Sequence, residues 1–176
     1  MKNKLGNLEN IHFKNNHGYM NYPQYISAIK EISSDILRKY KSKNIGILAL
    51  ARGALPMATS ISHFTNIRDI SVMQLQMTNS DKCFDYGDVR LKNYYLHDYD
   101  SFIILEDVIY HGSTTDYAIN ILKNLNKEIL SVYSLAIDEN FIELRQNKNI
   151  EINYVYNIPT EDWVHFLWEE DILNKE

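Results

Sequence analysis

The chain has 176 residues, 45% of them hydrophobic, and a formal net charge of −5; its isoelectric point is near 5.7. That length fits one compact domain with a buried core, and the acidic balance argues against a nucleic-acid partner, which needs a basic face. The single cysteine, Cys83, excludes an internal disulfide and fits a reducing cytoplasm, and with no leader-like apolar core and no membrane-length run, neither export nor a membrane is expected.

Residues 1–20 are polar and are expected to form a loose appendage to a single domain over 21–176. Tyr22, Ile26, Ile29, Ile32, Ile36 and Leu37 recur at helical spacing, and Pro23 suits a first turn, so a helix is expected over 22–40. Ile45 to Ala51, "IGILALA", is apolar on both faces and reads as a buried parallel strand. "ARGALPMATSISHF" then turns into a helix starting near Leu55 or Pro56, and "DISVMQLQM" from Asp69 is a second strand. Residues 78–100 are polar, charged and tyrosine-rich, and form a long loop or a hairpin of the kind that often carries function. Cys83 follows Lys82 there and reads as an incidental thiol.

"FIILE" from Phe102 is a third buried strand. Thr114 or Thr115 is a fair N-cap for a helix with Tyr117, Ala118, Ile121, Leu122 and Leu125 on one face. Ile129 to Ile137 is a further strand, a short helix covers 140–146, and "INYVYNI" from Ile152 is the last strand. Alternating strands and helices imply an α/β fold with a mostly parallel central sheet flanked by helices. In such sheets ligands bind beyond the carboxyl ends of the strands. Three of those ends are "ARG", "EDVIYHGST" and "IDEN".

The second of these carries the most chemistry. Glu106 and Asp107 are expected to emerge at the strand end, where adjacent carboxylates accept hydrogen bonds from two ribose hydroxyls and one helps hold a divalent cation. Gly112 permits an unusual turn. The amides of 111–114, the Ser113 and Thr114 hydroxyls and a helix N-terminus all favour a phosphate. Ribose on the acids and phosphate on the turn is one ligand.

The stretch "FIILEDVIYHGST" resembles the phosphoribosyl-pyrophosphate (PRPP) signature of the type I phosphoribosyltransferases: four apolar residues, two acids, a variable segment and a Thr-Gly-x-Thr variant. "LALARGALPMATSI" resembles that family's strand, pyrophosphate-binding turn and following helix. By this resemblance Arg52 and Gly53 hold pyrophosphate and Ala51–Arg52 is the candidate cis peptide. The tail "VYNIPTEDWVHFLWEE" is similar to that of bacterial xanthine-guanine phosphoribosyltransferases, with Trp163 in the place of the base-stacking aromatic, Val164 beside it and Trp168 left to packing. The resemblance spans roughly residues 22–170. It implies a small hood over about 154–176, with or without the N-terminal segment.

On the same ground His111, Gly112, Ser113, Thr114 and Thr115 take the 5′-phosphate. Arg90 and Lys92 are candidates to close over pyrophosphate, and Asp107, with Glu106, takes ribose and, through PRPP, Mg²⁺. The ligands implied are PRPP and a purine base or nucleoside monophosphate, and relatives commonly assemble as dimers or tetramers. Three positions depart from the pattern. Tyr110 stands where the family usually has an aspartate near purine N7. A phenol with a pKa of about 10 accepts a proton poorly, and losing general-base help costs about 10²–10⁴-fold. His111 and Ser113 replace a threonine and a glycine. Ile137, followed by Asp138, stands where a lysine donates to the purine 6-oxo group; a hydrogen bond to a charged group is worth about 1.5–3 kcal/mol. The expected function is transfer of phosphoribosyl from PRPP to a nitrogenous base in nucleotide salvage. The alternative is a non-catalytic PRPP- or nucleotide-binding regulator on the same fold, which the altered base-facing positions would suit.

Overall fold

A computed structural model describes residues 1–78, 88–141, 144 and 146–169, and its elements largely follow the apolar periodicity of the chain. In order they are β1 (Lys2–Lys4), β2 (Phe13–Lys14), β3 (His17–Tyr19), α1 (Tyr22–Tyr40), β4 (Gly46–Ala51), α2 (Ala54–Thr65), β5 (Ile70–Thr78), β6 (Asp88–Tyr95), β7 (Ser101–Ile109), α3 (Ser113–Asn124), β8 (Glu128–Asp138), β9 (Ile152–Ile158) and β10 (Trp163–His165). A seven-stranded sheet runs β1-β9-β8-β7-β4-β5-β6, and a three-stranded sheet runs β10-β3-β2. Every neighbouring pair in the large sheet is parallel except β5 with β6. No helix among the described residues is long and apolar enough to cross a membrane.

Local chemistry sets the helix boundaries. Asn21 Oδ1 accepts from Gln24 N at 2.9 Å while Gln24 Oε1 accepts from Asn21 N at 3.0 Å, a reciprocal cap that starts α1. Pro23 sits in the first turn, where its missing N–H costs nothing. The buried stripe Tyr25, Ala28, Ile29, Ile32 and Ile36 lays α1 on the sheet. Helix α2 starts at Ala54 and ends at Asn66, in the left-handed region with φ 59°. Helix α3 differs from expectation at its start. Its N-cap is Gly112, with φ 74° and no side-chain cap. Thr114 and Thr115 lie inside the helix, and their hydroxyls donate to Glu106 instead.

The core has two halves, one on each face of the sheet. Ile47, Ala49, Ile103, Leu105, Tyr133 and Val155 pack with α1 and α2. Leu48, Phe102, Ile104 and Val132 pack with Ile119 and Leu122 of α3. This is the period-two alternation of strands covered on both sides.

Three expectations are revised, and of the two alternatives for 78–100 the hairpin is observed. Residues 1–20 do not form a loose appendage: β1 adds a parallel edge strand beside β9, with Leu5 N donating to Tyr154 O at 2.7 Å, and β3 pairs in parallel with β10. Strands this short and polar carry no periodic signal; backbone pairing holds them. Over 140–146 none of the described residues is helical, because Asn140 N turns back to Asp138 Oδ1 at 2.7 Å and Phe141 and Leu144 fill the α3 side of the core. β9 is not the last strand, since β10 follows. Within 78–100, β6 returns antiparallel to β5 as a hairpin; Lys82 and Cys83 lie outside the described residues.

Candidate active site

The site forms where β4 and β7 end side by side. After β4 the Ala51–Arg52 peptide is cis, as the resemblance implied, and Gly53 leads into α2. A Cβ built on Gly53 would fall 2.0 Å from Asp107 Oδ2, far inside van der Waals contact, so only glycine lets this turn meet that carboxylate.

β7 runs on to Ile109, three residues beyond the acids' expected strand end, and its side-chain alternation slips at Asp107. Leu105 and Val108 both pack on the α1–α2 side while Ile109 packs under α3. β8 slips in step, with Leu135 and Ala136 on one side and Ile137 on the other. The Ser134 hydroxyl donates to Asp107 O at 3.1 Å and to Ala136 O at 2.7 Å, serving carbonyls at the irregularity. The slip lets consecutive residues Asp107 and Val108 face one cavity.

The two acids are therefore separated. Asp107 faces the cavity, and burial pushes its pKa up to about 6, with the nearby Glu169 charge adding to the rise and hydrogen bonds from the backbone N–H groups of Asp107 and Val108 opposing it. Glu106 is buried and turned to α3, where it accepts from Thr114 and Thr115. Burial pushes its pKa up to about 7; the Asp107 charge adds, and the threonine hydroxyls oppose. The expected pairing of both carboxylates on one ribose is not what the structure presents, because adjacent strand residues point to opposite faces.

The cavity measures about 850 Å³ and is walled by Arg52, Gly53, Asp107 and Val108 on one side. Trp163, Val164, His165, Phe166, Trp168 and Glu169 form the other. Tyr110 braces that wall: its ring stacks on Trp163 with centroids 6.0 Å apart, and Val164 N donates to its Oη at 3.4 Å. His165 is buried, with Nε2 lying 2.9 Å from His17 Nδ1 and its ring stacked on Tyr19 at 4.6 Å. The N-terminal segment thus braces the wall from behind. Trp168 stacks on Phe166 at 4.9 Å and meets Tyr25 edge-on, the packing role expected of it. Glu169 accepts from Phe166 N at 2.9 Å. Sequence reasoning passed over His165 and Glu169, whose signal was position on the short strand and turn after Trp163.

The phosphate turn is a separate feature beside α3. His111 is exposed, Gly112, Ser113 and Thr115 are buried, and Thr114 is half-buried. A Cβ at Gly112 would meet Leu144 Cδ2 at 2.8 Å and Phe141 Cε2 at 3.0 Å. With a positive φ as well, the position is restricted to glycine. The first-turn amides of α3 have no intrahelical acceptor, the arrangement that favours an anion at a helix N-terminus.

Three expected residues do not join the cavity. The slip in β8 buries Ile137 under α3, opposite Ile109. Asp138 accepts from Asn140 N and, at 2.9 Å, from Thr160 Oγ1. Arg90 and Lys92 are exposed on β6, two strands from β4. Arg90 pairs with Gln76, and Lys92 falls at the register shift between Gln74 and Leu75, without a cross-strand partner in the ladder.

The family model for the phosphoribosyl transferase domain matches residues 19–175. The structure is similar to a purine phosphoribosyltransferase from Pyrococcus horikoshii Ot3, with 25% identity and a TM-score of 0.68 over 88% of this chain and 95% of that one. It is also similar to a xanthine-guanine-hypoxanthine phosphoribosyltransferase from Helicobacter pylori, at 12% identity and a TM-score of 0.70 over 90% of this chain and 97% of the other. A Neisseria gonorrhoeae protein with bound ppGpp aligns at 15% identity and a TM-score of 0.70, over 90% of this chain and 92% of that one. At those two lower identities the likeness is one of fold. No curated protein matches the chain.

Proposed function

The chain belongs to the phosphoribosyl transferase domain family, and from that premise we propose that it moves 5-phosphoribosyl from PRPP to a purine base and releases pyrophosphate. The observation that carries this reading is the meeting of Asp107 with Gly53 across a cavity whose far wall is Trp163. A carboxylate, a basic turn and an aromatic plate are what a ribose, a pyrophosphate and a base each need. The purine is favoured by the aromatic wall and by the acceptor class of the Pyrococcus horikoshii relative.

In this reading the ribose lies over Asp107, whose oxygens accept from its hydroxyls. Arg52 and the amides around Gly53 hold pyrophosphate. The 5′-phosphate sits on the 111–115 turn, held in shape by Glu106 through Thr114 and Thr115. The base stacks between Val108 and Trp163. Among the described residues no three His, Cys, Asp or Glu side chains could together hold a metal ion. A single half-buried carboxylate facing the cavity does fit Mg²⁺, which is commonly held by one or two carboxylates and substrate phosphates. Asp107 would hold it, and the ion when bound would neutralise charge on the departing pyrophosphate. Asp107 also stabilises the positive charge that develops on the ribosyl carbon. We place the enzyme in the cytoplasm as a homodimer or homotetramer.

Pyrophosphate release from PRPP and Mg²⁺ with guanine, xanthine, hypoxanthine and adenine tests the proposal. Turnover with one or more bases is expected. Tight PRPP binding with no turnover on any base would instead establish the second reading, a PRPP or nucleotide sensor. That reading draws on Tyr110, whose hydroxyl takes the amide of Val164 where an acceptor base would approach.

A further inference from the structure

β10 pairs on one side only. Trp163 N donates to Asn16 O, and His165 O accepts from Met20 N, so residues 163 and 165 turn their backbone groups toward β3. Parallel-ladder geometry turns the N–H of Val164 the other way, to the open edge of the strand. That edge belongs to the cavity wall, and it offers a backbone donor next to an aromatic plate. Such a pairing recognises a planar heterocycle carrying a ring oxo group: the plate takes the face and the amide takes the oxygen.

Tyr110 already engages both elements. Its Oη receives the Val164 amide at 3.4 Å. Its ring lies 6.0 Å from that of Trp163, with the planes 23° apart. A third ring between them would need about 7–8 Å, two layers at carbon contact distance, so the face of Trp163 toward Tyr110 is closed. The N–H···Oη contact is long and offers little resistance to a better acceptor, so it selects rather than seals.

We propose that Tyr110 is the specificity-determining residue of the acceptor subsite, competing with an oxo-heterocycle for the Val164 amide and so lowering base affinity relative to PRPP affinity. The assignment rests on the phosphoribosyltransferase reading above and adds to it which group sets acceptor selectivity. It does not require Tyr110 to touch PRPP: the ribose and phosphate positions lie at Asp107, Arg52 and the 111–115 turn.

The test is calorimetric titration of hypoxanthine, adenine and PRPP–Mg²⁺ into the wild type, Tyr110→Phe and Tyr110→Ala. Tyr110→Phe keeps the ring on Trp163 and releases the amide. It should raise the ratio of hypoxanthine to PRPP affinity about two- to fivefold, the low end for one hydrogen bond, as befits a long contact. Adenine, which has no ring oxo group, should gain less. Tyr110→Ala also uncovers Trp163 and should raise both bases. Unchanged or weaker hypoxanthine binding in Tyr110→Phe, with PRPP binding intact and a cooperative thermal transition retained, overturns the assignment. Equal gains for hypoxanthine and adenine in Tyr110→Phe overturn the role of the Val164 amide. Loss of PRPP binding already in the wild type overturns the phosphoribosyl reading of the cavity, and this assignment with it.

Discussion

Asp107 and Glu106 are neighbours in sequence with different tasks, and the difference can be measured. Asp107→Asn keeps the shape at Gly53 and removes the carboxylate charge beside it, so pyrophosphate release should fall by about 10²–10³, the scale of losing one group that stabilises developing charge. Glu106 makes its prediction through stability. Its folded pKa of about 7 lies above the usual carboxylate value of 4.5, so between those pH values the folded state binds more protons than the unfolded one. Stability from this group is present below about pH 4.5 and is lost as pH rises through about 7. Glu106→Gln stays neutral and escapes the loss. Denaturant unfolding of the ligand-free protein should show the variant gaining on the wild type between pH 5 and pH 8, by about 2–3 kcal/mol. An advantage that shrinks with rising pH would contradict the burial argument. The expectation that both acids share one ribose treated 106 and 107 as a strand end; "FIILED" continues the strand, whose alternation sends them to opposite faces. The slip that then puts Asp107 and Val108 together was not legible, because it depends on β8 slipping in step and on Ser134 serving the carbonyl of Asp107.

At the scale of elements, α1 shows how a helix can be read in advance. Its bounds follow from Pro23 and a six-residue apolar stripe, and the structure places them at Tyr22 and Tyr40, with Asn21 added as the N-cap. What holds α1 to the sheet was less visible. Asp35 is buried; Tyr133 Oη donates to it at 2.8 Å, and Lys39 Nζ lies 3.0 Å away and reaches Glu151 at 2.9 Å. Burial alone would raise the pKa of Asp35, but the hydrogen bonds from Lys39 and Tyr133 hold it below the usual range. Its contribution is present above the ordinary carboxylate pKa and is lost as pH falls through the lowered value. Asp35→Ala takes one of the three partners of Lys39 and the acceptor of Tyr133, and should cost about 3 kcal/mol in urea unfolding at pH 7. The N-terminal strands were invisible for a different reason. "KNK", "FK" and "HGY" have no period; "FK" pairs only with β3, and the partners of "KNK" and "HGY" lie about 150 positions away at β9 and β10. Removing residues 1–19 strips an edge from the large sheet and the support of His17 from His165. The truncated chain should melt several degrees lower, the shift expected for a loss of about 2–3 kcal/mol in a domain this size. An unchanged melting temperature would show that these strands carry no stability.

For the molecule as a whole, the parallel sheet and the position of the site were legible because buried strands are long, apolar and punctuated by "ARG" and "EDVIYHGST". The cis peptide and the Trp163 wall followed from the family resemblance. Ile137 was assigned to the base by alignment with the family's lysine, and the slip in β8 instead buries it under α3. The hood was half-read: a C-terminal segment over the site was expected, while its strand β10 and the pairing of β10 with β3 were not, being a contact between chain ends that no local pattern encodes. The chain has a phosphoribosyltransferase scaffold that keeps Asp107, Gly53 and the 111–115 turn for the proposed ribose and phosphate positions, and departs from the family at Tyr110 and Ile137 on the proposed base side. The most direct measurement is pyrophosphate release from PRPP and Mg²⁺ in the presence of hypoxanthine, guanine, xanthine or adenine, run on the wild type and on Asp107→Asn. The account predicts base-dependent release that Asp107→Asn reduces by two orders of magnitude or more. Release that is absent with every base, or that Asp107→Asn leaves unchanged, would contradict it.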